Sequence, residues 1–316
     1  MIFKDKLKKN QNIIVMFIFL LSVVLLCHAD SDVQKYTIHS SILSQDIEYT
    51  LYKPDGYSDS IKYPIVYLLH GMDSDCQSFY QYGLKETLDD YITNKIIRPT
   101  LFVTPNAFNS FYVDKYDGTF NYEQFFFEEF IPYVETLFSV DTNQSNRSIA
   151  GISMGGYGAA LYSLKHKELF SACSPMSPAL LPENTLKLLD DNNDIKKLLL
   201  SIFGNEEYFK QNNFNTIVKS SSKGTFTMPY RVCIGKQDYL YQFVIPSKTI
   251  MENAEMNNYW YIGDGEHNVE FWKSQIPDTL KFLDQKILEN TDNSGTIGNG
   301  INSWILLISL IFCLMI

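Results

Sequence analysis

The stretch "GISMGGYGAA", residues 151–160, sets one serine among glycines near the middle of the 316-residue chain. Its first five residues fit G-x-S-x-G, a pattern that carries meaning only between a strand and a helix. "SIAGI" (148–152) before it reads as a buried strand. "GGYGAALYSLKHKELF" (155–170) after it reads as a turn running into a helix. In that setting Ser153 would sit on a tight turn, with small neighbours and a helix N-terminus aimed at whatever it attacks.

Outward from this point, apolar runs alternate with helical patterns. "YTIHSSILSQDIEYTLYKP" (36–54) predicts an antiparallel strand pair. "YPIVYLLHG" (63–71), "PTLFVTPN" (99–106), "SACSPMSPALL" (171–181), "YRVCIGKQD" (230–238) and "YWYIGDG" (259–265) predict further strands, the first two unbroken apolar runs. Helices are expected at 78–94, 121–138, 245–256 and 268–288, with Pro132 bending the second or opening a new segment. Residues 182–225 are more polar, partly helical and without a strand pattern. They read as an insertion over the sheet that lines a pocket. The sum predicts an α/β fold: a mostly parallel central sheet, antiparallel N-terminal strands and helices on both faces, within 30–289.

The ends read differently. Lys4, Lys6, Lys8 and Lys9 precede the apolar run 13–26 and "CHAD" (27–30), the layout of a signal peptide (1–29) cut after Ala29. At the other end, small residues 293–295, a polar spacer and the apolar tail 304–316 have the layout of a GPI-attachment signal (290–316), with Asn293 or Ser294 as the attachment residue; a retained tail anchor is the alternative. The expected location is therefore extracellular or at the cell surface, with membrane contact only through the C-terminal anchor. Loss of 1–29 takes Lys and Arg from 26 to 22 and Asp and Glu from 36 to 35, so the formal charge moves from −10 to −13. An acidic chain without a basic run is not expected to bind nucleic acid. Cys76, Cys173 and Cys233 remain, too few for a disulfide scaffold and spaced for no zinc site, and are expected to be buried. "NQS" (143–145) and "NRS" (146–148) are two adjoining glycosylation sequons.

A serine hydroxyl needs a base to become a nucleophile. On this type of fold the chain order is serine, acid, histidine. Of the histidines after Ser153, His166 lies 13 residues along the same helix, roughly 20 Å away at 1.5 Å per residue. His267 is therefore the expected base. Asp238 closes a strand between the two and is the expected acid. Asp190, Asp191 and Asp194 read as solvated charge, and Asp264 lies too near His267 on one loop. Backbone N–H groups of Met154, after the serine, and Met72, after the His70-Gly71 turn, are the expected oxyanion donors.

At this point the chain resembles the putative-esterase family of α/β-hydrolases, which includes tributyrin-type and feruloyl esterases, S-formylglutathione hydrolases and mycolyltransferases. "YPIVYLLHGMDSDCQSF", "GISMGGYGAALYSL", "CIGKQDYLY" and "GEHNVEFWKSQIPDTLKFL" carry the resemblance over about residues 40–285. It implies a serine carboxylesterase working on a small-molecule ester through an acyl-enzyme, with Ser153, Asp238 and His267 as the triad, Met72 and Met154 at the oxyanion hole, and no cofactor. Acyl transfer, thioester hydrolysis and a non-catalytic surface role are the alternatives. The sequence departs from the family pattern in two places. No second glycine follows His70-Gly71, and Asn268-Val269 stands where an aromatic often follows the histidine. Either would reshape the acyl pocket.

Overall fold

The computed structural model describes residues 31–293, with side chains described as far as residue 289. The expected signal segment and most of the C-terminal signal lie outside the described residues. Eight strands form one sheet: β1 (Asp32–Ser40), β2 (Gln45–Lys53), β3 (Ile65–Leu69), β4 (Leu101–Pro105), β5 (Arg147–Ile152), β6 (Ala172–Met176), β7 (Tyr230–Gly235) and β8 (Asn258–Gly263). Their order is β1-β2-β4-β3-β5-β6-β7-β8. β2 runs antiparallel to β1 and β4, and the other neighbours pair in parallel. This is the α/β fold with a mostly parallel central sheet and antiparallel N-terminal strands expected from the strand pattern.

β3, β4, β5, β6 and β7 are buried along their whole length. Helices cover both faces, so alternate residues of a strand enter different cores. Ile65, Tyr67 and Leu69 of β3 point into one, Val66 and Leu68 into the other. On the first face lie the helix Met154–Lys165 that follows Ser153, the helix Tyr241–Asn253 and the aromatic segment Tyr122–Leu137. On the second lie Leu84–Thr93 and Val269–Asn293. The edge strand β8 alternates between half-buried and exposed residues before it settles at Ile262.

Residues 122–137 run helically, but through a π turn at Phe126–Phe130, after which Pro132 sits in the first turn of Ile131–Leu137. Pro132 has no N–H to give to the preceding turn, and the wider π turn lets the chain continue in spite of it. A buried ion pair ties this segment to β5. Arg147 Nε and Nη2 donate to Glu135 at 2.6 and 2.8 Å, and Tyr67 Oη donates to the same carboxylate at 3.1 Å.

The 182–225 segment contains helices and no strand, as expected. Three of its helices start on asparagine caps: Asn193, Asn205 and Asn213 accept the N–H of Lys196, Tyr208 and Thr216. It packs on the helix Met154–Lys165 and the 107–120 loop. Tyr157 Oη donates to Asn212 O at 2.6 Å, Tyr208 Oη to Asp114 O at 2.8 Å, and Phe203 meets Phe111 edge-on.

Cys76, Cys173 and Cys233 are buried and unpaired. Of the two sequon asparagines, Asn143 is exposed, whereas Asn146 is buried and donates to Asp141 at 2.9 Å. Among the described residues no helix is long and apolar enough to cross a membrane.

Candidate active site

The residues expected to form the site lie just beyond the C-terminal ends of parallel strands, where open α/β sheets gather their functional groups. Gly71 follows β3, Ser153 follows β5, Asp238 follows β7 and His267 follows β8. Because β3 is the neighbour of β5, the loop after β3 lies beside the serine; a Cβ on Gly71 would be 3.5 Å from that of Ser153.

Ser153 has φ 57° and ψ −115°, a conformation that non-glycine residues seldom adopt. The turn is held on both sides: Ser153 N–H donates to Met176 O of β6 at 2.9 Å, and Ser153 O accepts from Tyr157 N and Ala179 N at 3.0 Å. Glycines flank it because the backbones nearly touch. A Cβ on Gly151 would fall 2.2 Å from Gly155 O, and one on Gly155 would fall 1.9 Å from Leu69 O. Nothing larger than hydrogen fits at either position. Met154 opens the helix Met154–Lys165, so its N–H has no carbonyl one turn back within that helix.

The three polar side chains meet in a row. Ser153 Oγ lies 2.9 Å from His267 Nε2, and His267 Nδ1 lies 2.8 and 3.0 Å from the two oxygens of Asp238. A carboxylate can only accept here, so Nδ1 carries the proton and Nε2 is free to take one from the serine. Asp238 is buried, and its Oδ1 also accepts the Leu240 N–H at 2.8 Å, which fixes the carboxylate's orientation. Asn268 opens the last helix by accepting the Phe271 N–H at 3.0 Å, which sets the turn that presents His267.

The turn after β3, which carries the expected Met72 donor, is tied down by His70 through Gly71 O. Its ring is wholly buried. Nδ1 lies 2.7 Å from Gly71 O, so that nitrogen is the donor, while Nε2 accepts the Ala107 N–H at 2.8 Å. Tyr112 Oη donates to His70 O at 2.9 Å. Burial pushes the imidazole pKa down from its ordinary value, which suits a ring that must keep one nitrogen as an acceptor. The other candidates weighed in the sequence stand elsewhere. His166 stacks on Phe127 and faces Glu123. His39 pairs with Asp46 at the surface. Asp191, Asp194 and Asp264 are exposed partners of lysines.

A cavity of about 110 Å³ opens at Ser153. Its walls come from Met72, Phe79, Tyr82, Tyr239 and Trp272 around Ser153 and His267. The 182–225 segment does not contribute to this lining, contrary to expectation. It is held away by its packing on the helix behind the serine. The aromatic walls went unread in the sequence. Tyr239 directly follows Asp238, and its ring lies 4.5 Å from that of His267. Trp272 sits one helical turn past His267 and meets its ring edge-on at 5.2 Å. The aromatic missing beside His267 in sequence is thus supplied five residues later. Among the described residues no group of three or more His, Cys, Asp or Glu side chains is placed to hold a metal ion.

The fold and the elbow define an α/β-hydrolase. The family model described as "Putative esterase" matches residues 40–283, and the chain belongs to that family. A ferulic acid esterase of known structure superposes with a TM-score of 0.72 at 28% identity, covering 82% of this chain and 100% of that one. An acetyl esterase of Caldicellulosiruptor saccharolyticus is 24% identical over 263 residues, 79% of this chain and 93% of the relative. An esterase of Mycobacterium tuberculosis is 29% identical over 154 residues, 46% of this chain; the match spans only 32% of the relative's length.

Proposed function

We propose that this chain is a serine carboxylesterase that cleaves small-molecule esters through an acyl-enzyme. The observation that carries the reading is the unbroken row Ser153–His267–Asp238 at the strand ends, with each bond at 3.0 Å or less. His267 Nε2 takes the Ser153 proton as Oγ bonds to the ester carbonyl carbon. The carbonyl oxygen becomes an oxyanion held by the N–H groups of Met72 and Met154. Asp238 holds the ring's tautomer and stabilises the imidazolium. The imidazolium returns the proton to the departing alcohol. Water, activated by the same nitrogen, then releases the acid. Family membership and the likeness to the ferulic acid and acetyl esterases support ester hydrolysis over a non-catalytic role. The apolar runs at the two ends support export and surface attachment of the enzyme.

The test is Ser153→Ala. Wild-type protein is expected to turn over p-nitrophenyl acetate and to take up a fluorophosphonate probe covalently, and the variant to do neither. Undiminished turnover in the folded variant would remove Ser153 from the mechanism.

A further inference from the structure

We propose that Asn143 carries an N-linked glycan and that Asn146, three residues on, does not. The proposal rests on the expected signal peptide at 1–29 and not on the esterase reading. N-x-[ST], with x other than proline, is the acceptor pattern for such glycans. "NQS" (143–145) and "NRS" (146–148) are its only two occurrences in the chain. Sequence alone gives the two asparagines equal standing. Their surroundings in the fold separate them.

Asn143 is exposed, with extended backbone (φ −63°, ψ 141°) just before the single turn Gln144–Asn146. Its Nδ2 donates to Asp141 Oδ1 at 2.6 Å, and its backbone N–H donates to the same oxygen at 3.1 Å. The amide nitrogen has two hydrogens. One holds Asp141 and the other can be exchanged for a sugar, so the turn survives modification. In the transfer, Nδ2 bonds to the anomeric carbon of an oligosaccharide carried on a polyprenyl pyrophosphate. The bond from that carbon to the pyrophosphate oxygen breaks, the lipid pyrophosphate leaves, and Nδ2 gives up one proton to a base of the transferase.

Asn146 is only 7% exposed. Its Nδ2 donates to Asp141 Oδ2 at 2.9 Å, and its backbone N–H donates to Asn143 O at 2.9 Å. The next residue, Arg147, ties the turn down by donating to Thr142 O at 3.1 Å while it holds Glu135. Ser148, the hydroxyl of the second pattern, is wholly buried in β5, its Oγ 2.9 Å from Ser171 Oγ. A packed interior has no void of a sugar's size. A glycan on Asn146 would have to open the turn and draw Arg147 away from Glu135. Folded protein therefore carries its glycan at Asn143 alone. β5 runs from this turn toward Ser153, about 20 Å for its six residues at about 3.3 Å each. The glycan thus stands at the end of the sheet away from the serine.

The test is mass spectrometry on the full chain expressed through the secretory pathway of a eukaryotic host. Peptide N-glycosidase turns a glycosylated asparagine into aspartate, so fragment masses report which position was modified. Wild type, Ser145→Ala and Ser148→Ala are compared on protein that melts in one cooperative transition. Each serine variant removes one acceptor pattern and leaves both asparagines in place. Wild type and Ser148→Ala are expected to show aspartate at 143 and asparagine at 146, and Ser145→Ala to be unmodified at both. Wild type and Ser145→Ala decide the matter by themselves should Ser148→Ala fail to fold. Exported wild type without a glycan, or folded protein of any of the three with a glycan at Asn146, would overturn the proposal. A chain that never enters the secretory pathway overturns it through its premise. Neither result touches the esterase reading, which fluorophosphonate labelling of Ser153 tests wherever the protein is made.

Discussion

His70→Ala separates a loop aligned by a buried imidazole from a loop aligned by its own turn. Gly71 C=O and Met72 N–H belong to one trans peptide plane and point in opposite directions. His70 Nδ1–H, 2.7 Å from Gly71 O, therefore holds the Met72 N–H pointing away from the His70 ring. The substitution removes that anchor and leaves the Ala107 N–H, 2.8 Å from Nε2 in the native protein, without an acceptor. Each buried group left unpaired costs about 1–3 kcal/mol, so a stability loss of about 2 kcal/mol or more is expected. The functional loss is a different quantity. An oxyanion donor that is no longer aligned lowers kcat by about a hundred- to a thousandfold. KM should change little, since the donor acts on charge that develops only in the transition state. Kinetics on p-nitrophenyl acetate, run well below the variant's unfolding midpoint, keep the two apart. If the midpoint falls while kcat stays near wild type, His70 only fills space and the alignment argument is wrong. The same residue predicts a pH effect. Its folded pKa lies below the ordinary value of about 6.5. As pH falls the unfolded chain binds this proton first, so the His70 contribution is complete above about pH 6.5 and is lost on acidification through the folded pKa. His70→Gln should lack that part of the slope in melting midpoints recorded against pH.

Asp238→Asn is expected to lower kcat by about four orders of magnitude, because an amide can donate to His267 Nδ1 and so favour the wrong tautomer; single-turnover rates on an activated ester measure it, and a loss below tenfold would discard Asp238 as the acid. Glu135→Ala should cost about 3–5 kcal/mol of stability by stranding the buried Arg147 guanidinium. Because Arg147 begins β5 and Ser153 follows its other end, kcat of the folded fraction should hold. Urea unfolding with parallel kinetics checks both halves, and an unchanged midpoint would mean that Arg147 finds other partners.

Much of the site was legible because its groups sit where chain order and strand pattern meet. β3, β5 and β7 are covered on both faces, so they appear as short, mostly apolar runs, and the residues just beyond their ends can be picked out without knowing how the sheet is ordered. Ser153 and Asp238 satisfy that rule, and His267, after the half-exposed edge strand β8, is reached through the order serine, acid, histidine. The walls of the cavity obey no such rule. Phe79 and Tyr82 come from the segment after β3, Tyr239 from the loop after β7 and Trp272 from the last helix, and only β3 lying beside β5 brings them to one place. An aromatic residue in a chain with 22 phenylalanines and 21 tyrosines carries no mark of its destination. The insertion misled for a related reason. Its polarity marked it as lying outside the sheet, but not which side it would cover. Apolar residues among the polar ones, Leu199, Phe203 and Phe209, are buried against the first-face core. Hydrogen bonds from Tyr157 and Tyr208 fix the segment behind Ser153. The pattern of a chain reports which residues are removed from water. Which residues face one another across a cavity depends on strand order, and that is decided by contacts distant in sequence.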